Sequence, residues 1–236
     1  MDRYFFGHHK CATNWMRRYI RDLCKRHGWR CQARNGGNDP SFNTGADSKF
    51  VFYWNSWPAD AESIPVDAPA VHLIRDPRDA LVSGYWSWKQ SHQENGERIT
   101  AVRERLNSMS LEDGLVLMVE HITSLEQLAG WNFDGTGNIY TVRYEDMVNA
   151  TYVTVNKMLE HWKLYLSEKE LEELIAKHSF KAITGRSPGE EDTNHHFRKG
   201  VTGDWKNYFT DKVKARFKKI HGEALCSLGY ESDFDW

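Results

Sequence analysis

Lys10, Thr13 and Asn14 lie close together near the start of the chain and carry side chains that suit an anion. They follow an apolar run at residues 4–6 that turns at Gly7, and helical spacing begins directly after them. A strand that leads into a helix start presents free backbone N–H groups and the positive end of the helix dipole. The stretch therefore predicts a loop that binds a phosphate or a sulfate, although an ordinary buried strand followed by a basic helix would also fit it.

The spacing of this loop differs from that of a nucleotide-triphosphatase P-loop. Counted from Gly7, the Walker pattern would place Gly, Lys and Ser or Thr at positions 12, 13 and 14. The chain has Ala12, Thr13 and Asn14 there, with Lys10 earlier than the pattern requires. Asn14 is a poor replacement for the hydroxyl that holds magnesium. A P-loop nucleotide kinase is therefore a weaker alternative, which magnesium-dependent ATP turnover would reveal.

Apolar runs alternate with helical patterns along the rest of the chain. The predicted strands are residues 4–6, 29–33, 50–54, 70–74 and 138–142. The predicted helices are residues 14–27, a helix from 77 that ends before 94, two within 100–129, one that follows the polar segment 143–146 and runs to about 162, and 167–178 and 211–228. This alternation indicates one α/β domain over residues 1–236, with a mainly parallel central sheet of about five strands flanked by helices.

The length, composition and net charge of the chain limit the functional classes to which it could belong. Its 236 residues are 40% hydrophobic and 27% charged, which is ordinary for a soluble globular protein. A formal net charge of −2 argues against a general nucleic-acid binder. Four cysteines, at positions 11, 24, 31 and 226, have neither metal-ligand spacing nor disulfide-framework density. With no membrane span or signal peptide visible, we expect free thiols and a cytoplasmic protein without nucleic-acid or membrane partners.

A second cationic group follows later strands. Arg75 comes directly after the predicted strand 70–74, while Arg198 and Lys199 lie in a long Gly- and Ser-rich loop at 182–204. Ligands of parallel sheets bind beyond the carboxyl ends of the strands, and arginine suits bidentate contacts to phosphate oxygens. Two separate anion sites with aromatic residues between them predict a ligand that carries two phosphate-like groups and a flat ring.

Five segments resemble, in order, the cytosolic type of PAPS-dependent sulfotransferase, where PAPS is 3′-phosphoadenosine 5′-phosphosulfate. Residues 10–15 (Lys-Cys-Ala-Thr-Asn-Trp) are similar to the family's first loop, Lys-Ser-Gly-Thr-Thr-Trp. Residues 75–83 resemble its 3′-phosphate motif, an arginine with a serine eight residues later. Residues 143–147 contain its Tyr-Glu-Asp segment, residues 179–180 its Ser-Phe pair, and residues 198–210 nearly all of Arg-Lys-Gly-x-x-Gly-Asp-Trp-Lys-Asn-x-Phe-Thr.

The resemblance implies a P-loop-like nucleotide-binding architecture and a sulfotransferase that moves the sulfuryl group from PAPS to a hydroxyl of a small-molecule or glycan acceptor, releasing PAP. Sulfuryl carries less charge than phosphoryl, so no metal is expected. By resemblance, the 5′-phosphosulfate is held by Lys10, Cys11, Ala12, Thr13 and Asn14, the 3′-phosphate by Arg75, Ser83, Arg198, Lys199 and Gly200, and the adenine by Trp15, Tyr144 and Phe180. Lys10 is also the expected catalytic cation at the leaving oxygen.

The family's usual general base is absent from its expected place. That base is a histidine in a Lys-Thr-His-Leu-Pro segment after the third strand, where residues 54–58 here read Trp-Asn-Ser-Trp-Pro. His9 precedes Lys10 and is the first candidate for the base. His92, predicted on the helix that carries Ser83, is the second candidate. A non-catalytic protein that binds PAPS or another nucleotide is the alternative that this gap leaves open.

Acceptor binding and assembly are less clearly marked. The aromatic residues expected near an acceptor are Trp54, Trp57, Tyr85, Trp86 and Trp88, with simple helix packing an equal alternative for the last two. His195 and His196 are expected to be a solvated part of the long loop. Residues 206–210 match the start of the family's dimer segment, but Asp211 and Ala215 replace its Val and Glu. We therefore expect a monomer or a weak homodimer.

Overall fold

Five parallel strands form the central sheet. The computed structural model describes residues 1–34, 49–91, 97–131 and 138–236. The strands are β1 (Arg3–Phe6), β2 (Arg30–Arg34), β3 (Lys49–Tyr53), β4 (Ala70–Ile74) and β5 (Ile139–Arg143). They lie in the order β2-β3-β1-β4-β5, and all four pairings are parallel. The predicted single α/β domain with a parallel sheet is confirmed.

The helices begin and end where their capping residues predict. Helix α1 (Thr13–His27) stops at Gly28, whose left-handed backbone lets its N–H return to the carbonyl of Cys24. Helix α3 (Pro77–Trp86) starts at Asp76, whose carboxylate accepts from the Arg78 N–H at 2.9 Å, and continues into a π-helical turn at Ser87–Ser91. The other helices are α2 (Pro58–Glu62), α4 (Glu97–Ser108), α5 (Leu111–His121), α6 (Thr123–Ala129), α7 (Tyr144–Asn149), α8 (Thr151–His161), α9 (Glu168–Lys177), α10 (Phe180–Thr184) and α11 (Asp211–Ser227).

Two stretches are more helical than the sequence patterns predicted. The connection after β3 begins with α2, because Pro58 suits a first helical position and Asp60 accepts from the backbone N–H of Trp57 at 2.7 Å. The stretch 97–129 holds three helices instead of two, because the backbone leaves helical geometry at Ile122. Neither difference moves the loops at the carboxyl ends of the strands.

Three hydrophobic clusters pack against the sheet, and the third contains Tyr4, Phe6, Val51, Tyr53 and Trp131. The first joins Phe5 and Phe52 to the apolar faces of α1, α8 and α9, and it includes the fully buried Trp162. The second joins Ile74 to α3, α5, α6 and α11. The central strands β1, β3 and β4 are covered on both faces and are mainly apolar, as parallel strands usually are, whereas the edge strand β2 is Arg-Cys-Gln-Ala-Arg. This packing fixes the strand ends from which the site is built.

Cys24 and Cys31 form a disulfide, which corrects the expectation of four free thiols. Cys24 lies in the last turns of α1 and Cys31 in β2, and their Cα atoms are 6.4 Å apart. The tight turn at Gly28 brings the two side chains together although they are seven residues apart in the sequence. Cys11 and Cys226 are free thiols.

Candidate active site

The loop between β1 and α1 is folded as a concave backbone. Lys10 and Ala12 both adopt left-handed conformations, with φ of 68° and 57°. The Thr13 hydroxyl donates to the carbonyl oxygen of His8 at 2.6 Å, and the backbone N–H and the hydroxyl of Ser56 both donate to the Gly7 carbonyl at 3.0 Å. Left-handed residues within such a turn direct backbone N–H groups toward a common point, which suits an anion.

A cavity of about 920 Å³ opens at this loop and brings the predicted residues together. Twelve of the thirteen residues expected to bind the cofactor line it. They are Lys10, Ala12, Thr13, Asn14, Trp15, Arg75, Ser83, Tyr144, Phe180, Arg198, Lys199 and Gly200. The thirteenth, Cys11, directs its side chain into the second hydrophobic cluster, and burial raises the pKa of its thiol to about 12. The Cys11 thiol therefore stays neutral and apart from the cavity.

Lys10 is a buried cation among other cations. Its side chain is 9% exposed, and burial, followed by the charges of Arg75 and Arg198, lowers its pKa to about 7. An anion in the cavity would reverse this balance, because it favours the protonated amine. Lys10 is therefore poised to gain full charge when a negatively charged ligand arrives.

Arg75 is held between the first loop and β5. It donates through Nη1 to the Lys10 carbonyl oxygen at 3.2 Å, and its guanidinium carbon lies 4.4 Å from the centroid of the Tyr144 ring. Burial opposes its charge, but Tyr144, Asp79 and Glu145 outweigh burial and raise its pKa above the ordinary value. Arg75 is thus a permanent cation on the cavity wall.

The long loop supplies two more cations, and Asp204 orients both. Arg198 Nη2 donates to one carboxylate oxygen of Asp204 at 2.5 Å, and Lys199 Nζ donates to the other at 2.7 Å. Burial opposes ionisation of Asp204, but the bonds from Lys199 and Arg198 hold its pKa below the ordinary value. The loop is joined to α3 through Asp79, which accepts from the Gly203 N–H at 2.6 Å.

Residues near the C-terminal end of the chain also support the long loop. The Arg78 guanidinium lies between two indoles, 3.9 Å from the Trp205 ring centroid and 4.6 Å from that of Trp236. It also forms ion pairs with Asp76 and Glu231. Because Trp205 follows Asp204 directly, this arrangement holds the end of the long loop against α3.

Aromatic rings line the other end of the cavity. Trp15 and Tyr144 make an edge contact with ring centroids 6.3 Å apart, and the Trp15 indole donates to the His178 carbonyl at 2.6 Å. Gly200 has φ +67°, and a Cβ placed on it would come within 2.5 Å of the Phe180 ring. The chain can approach Phe180 this closely only because residue 200 is glycine.

Of the two histidines expected as the general base, the structure describes only His9. His9 lines the cavity beside Lys10, and its ring centroid is 6.5 Å from that of Trp88. His92 lies outside the described residues. Ser56 is fully buried and bonded to Gly7, while its neighbours Trp54 and Asn55 line the cavity.

The aromatic residues expected at the acceptor take different positions. Trp54 lines the cavity, whereas Trp57 is 47% exposed to solvent. Tyr85 and Trp88 belong to the second hydrophobic cluster, so they pack the core and the expectation that they contact an acceptor is corrected. Their spacing from Leu81, at i+4 and i+7, is the helical signal that predicts this packing.

The sequence patterns missed several cavity residues. His196 is exposed to solvent, as expected, but it also lines the cavity, and its Nε2 lies 2.7 Å from the amide nitrogen of Asn14. Arg17 also lines the cavity, and its guanidinium carbon is 5.2 Å from the centroid of the Trp54 ring. Arg17 lies one helical turn after Thr13, so its spacing could have indicated this position. No comparable sequence signal marks His196.

Within residues 1–34, 49–91, 97–131 and 138–236, no group of three or more His, Cys, Asp or Glu side chains could hold a metal ion. In the same ranges, no helix combines the length and the apolar character needed to cross a membrane.

Comparison with known proteins identifies relatives of this chain. The sulfotransferase domain family matches residues 64–229. Mouse sulfotransferase 2A6 is 32% identical over 173 residues, which cover 68% of this chain and 58% of that protein. A guinea-pig (Cavia porcellus) 3-alpha-hydroxysteroid sulfotransferase is 29% identical over 180 residues, covering 72% and 60%. The matched region thus spans less than two thirds of the length of these relatives.

Solved structures share the fold. Mouse sulfotransferase SULT7A1 complexed with PAP superposes with a TM-score of 0.67 at 19% identity, covering 97% of this chain and 88% of the other. Retinol dehydratase in complex with androsterone and inactive cofactor PAP gives a TM-score of 0.59 at 16% identity, covering 95% and 80%. At these identities the structures establish the fold alone. The family match over residues 64–229 and the 32% identity to mouse sulfotransferase 2A6 show that the chain belongs to the sulfotransferase family.

Proposed function

We propose that this protein binds PAPS and transfers its sulfuryl group to a hydroxyl of a small-molecule or glycan acceptor, releasing PAP. The observation that carries the proposal is the single cavity lined by twelve of the thirteen residues expected at the cofactor. Membership of the sulfotransferase family supports the reaction class. Both structural neighbours are complexes with PAP, which supports the choice of ligand.

The cations of the cavity fit a ligand with two anionic ends. Lys10 and the start of α1, Arg75, and the pair Arg198 and Lys199 all line the cavity. Trp15, Tyr144 and Phe180 offer ring surfaces for an adenine. The Gly200 backbone lies so close to Phe180 that any side chain on residue 200 would meet the ring. PAP carries these groups, with phosphates on the 3′ and 5′ carbons of its ribose and a purine on the 1′ carbon.

The residues of this chain have separate tasks in the transfer. The acceptor oxygen forms a bond to sulfur as the bond from sulfur to the phosphate oxygen breaks, so negative charge grows on the phosphate. Lys10 and the backbone N–H groups at the start of α1 stabilise that charge. His9 takes the proton of the acceptor hydroxyl, for which an imidazole is suited near neutral pH.

A non-catalytic PAPS-binding protein is the second candidate. It is supported by the segment 54–58, which has no histidine and in which the side chain of Ser56 is bonded to Gly7. Both candidates bind PAPS, so only transfer separates them. A screen of phenolic, alcoholic and sugar hydroxyl acceptors with labelled PAPS decides between the two candidates. Absence of transfer to every class of acceptor would favour the binding protein.

Calorimetry with PAP in the presence of EDTA tests the binding half of the proposal. We expect metal-independent binding, because the cavity supplies its own cations and amides. Arg198→Ala should weaken binding by about 1.5–3 kcal/mol, as for a charged hydrogen-bonding partner. Binding that disappears with EDTA, or an Arg198→Ala effect near zero, would contradict the assignment.

The role of His9 is tested separately from binding. His9→Ala should lower the transfer rate by about 100-fold or more, the typical size for a lost general base, and leave PAP affinity nearly unchanged. His92→Ala is the matched comparison. A large loss in His92→Ala with most of the rate kept in His9→Ala would transfer the role to His92.

Assembly and location complete the proposal. A monomer or weak homodimer is supported by Asp211 and Ala215 at positions where the dimer segment has Val and Glu. Sedimentation equilibrium over a range of concentrations measures this directly. We propose a cytoplasmic location because the chain resembles sulfotransferases of the cytosolic type, and cell fractionation tests this location.

A further inference from the structure

The Arg198 guanidinium is divided among three acceptors. Nη2 donates to Asp204 at 2.5 Å, while Nη1 donates both to the carboxylate of Glu191 and to the hydroxyl of Tyr208, the latter at 3.2 Å. The Tyr208 hydroxyl in turn lies 3.3 Å from Glu191 Oε1. The residue expected to bind the 3′-phosphate is therefore already bonded to two carboxylates.

The two carboxylates differ in burial and in support. The side chain of Asp204 is 3% exposed, and it accepts from Lys199 Nζ at 2.7 Å and from Asn207 Nδ2 at 3.0 Å as well as from Arg198. The side chain of Glu191 is 33% exposed and lies on the outer part of the loop. Asp204 is therefore a fixed support, while Glu191 can turn into solvent at low cost.

We infer that Glu191 competes with the 3′-phosphate for Arg198 and so sets the affinity and the release rate of PAP. This inference rests on the proposed function. Both hydrogens of Nη1 are directed to Glu191 and Tyr208, so a phosphate oxygen that binds there must displace the carboxylate. A phosphate and a carboxylate at the same guanidinium also repel each other. Glu191 is thus a positioning residue whose negative charge weakens binding.

The same competition should speed product release. When the 3′-phosphate begins to leave, Glu191 can return to Nη1 and satisfy the guanidinium that would otherwise be left partly desolvated and unpaired. Product release limits turnover in many enzymes. A residue of this kind would therefore lower the affinity for PAP and raise the turnover rate. Glu191 lies in an acidic run, residues 190–192, which the proposed reaction does not otherwise use.

The test compares PAP with adenosine 5′-monophosphate, which lacks the 3′-phosphate, in calorimetry and stopped-flow displacement. Glu191→Gln should tighten PAP by about tenfold, the size expected for one charged contact, with a slower release rate. Its affinity for adenosine 5′-monophosphate should not change. Asp204→Asn should act in the opposite direction and weaken PAP, because it loosens Arg198 and Lys199 together.

Glu190→Gln is the matched control. It removes the same charge one residue away, where Glu190 Oε2 accepts from the Ser187 N–H at 2.6 Å and a glutamine oxygen can do the same. PAP affinity in this variant should change less than twofold. Weaker or unchanged PAP binding in Glu191→Gln, or equal tightening of both ligands, would overturn the role of Glu191. Failure of the unaltered protein to bind PAP would overturn the proposed function and this inference together.

Discussion

The Nε2 atoms of His8 and His72 lie 2.6 Å apart in a fully buried hydrogen bond beneath the first loop. The His72 ring stacks on Trp131 with centroids 4.0 Å apart. One imidazole must donate and the other accept, so the pair is bonded when both rings are neutral. Burial lowers the pKa of His8 to about 3, and burial together with His8 lowers the pKa of His72 well below its ordinary value.

This histidine pair predicts a loss of stability in mild acid. The folded pKa values are depressed, so the unfolded chain binds more protons below an ordinary imidazole pKa of about 6.5. The free energy of unfolding should fall between about pH 6.5 and 5 by about 1.4 kcal/mol per pH unit for each histidine. Urea titrations across this range measure the slope. His8→Gln or His72→Gln should reduce it by about one histidine's share, and an unchanged slope would contradict the assignment.

Lys10 predicts that PAP affinity falls above neutral pH. Its pKa of about 7 in the ligand-free protein means that binding at higher pH must take up a proton to restore the cation. The dissociation constant should rise by up to about tenfold per pH unit between about pH 7.5 and 9.5. Lys10→Arg keeps the charge and should bind with little pH dependence. Calorimetry in buffers of different ionisation enthalpy counts the protons, and zero uptake by the unaltered protein would exclude the effect.

The backbone conformation of Ala12 predicts that the substitution Ala12→Gly stabilises the folded protein. Its φ of 57° is left-handed, a conformation that costs an L-residue about 1–2 kcal/mol and costs glycine little. After the greater flexibility of glycine in the unfolded chain is subtracted, Ala12→Gly should raise the free energy of unfolding by about 0.5–1 kcal/mol. Ala215→Gly, at an exposed position inside α11, should lower it by about 1 kcal/mol. Effects of the same sign in both variants would contradict the strain at Ala12.

Alanine substitutions at Gly200 and Gly203 distinguish the effect of backbone strain from the effect of a steric contact. Both have left-handed φ values, 67° and 72°, but a Cβ at Gly200 meets the Phe180 ring whereas a Cβ at Gly203 meets nothing within 4 Å. Both alanine variants should lose about 1 kcal/mol of stability. Gly200→Ala should in addition weaken PAP by about tenfold or more, because it displaces the ring expected at the adenine. Equal PAP affinity in the two variants would contradict that role for Phe180.

The elements could be predicted because their signals are local. Continuous apolar runs marked the three central strands, Asp76 and Pro77 marked the start of α3, and Ser167 with Glu170 marked the capping box of α9. The cofactor residues could be expected because each lies in a short segment that resembles a family motif. The structure adds that the segments meet at one cavity.

The remaining features depend on contacts between distant residues. His196 reaches Asn14 across 182 positions of sequence, and nothing near His196 indicates that partner. The pairing of Cys24 with Cys31 follows from the exact turn at Gly28, which a spacing of seven does not specify. The contact of Glu191 with Arg198 depends on how the long loop folds back on itself.

The two indoles around Arg78 have a consequence for proteolysis. Residues 231–236 contribute Glu231 and Trp236 to the Arg78 contacts, yet none of these six residues lines the cavity. Cleavage after Tyr230 would leave every proposed ligand contact in the protein but free one face of Arg78, and with it the packing that positions Trp205. A protease could therefore lower the affinity for PAP without cutting near the cavity, and bound PAP should in turn slow that cleavage.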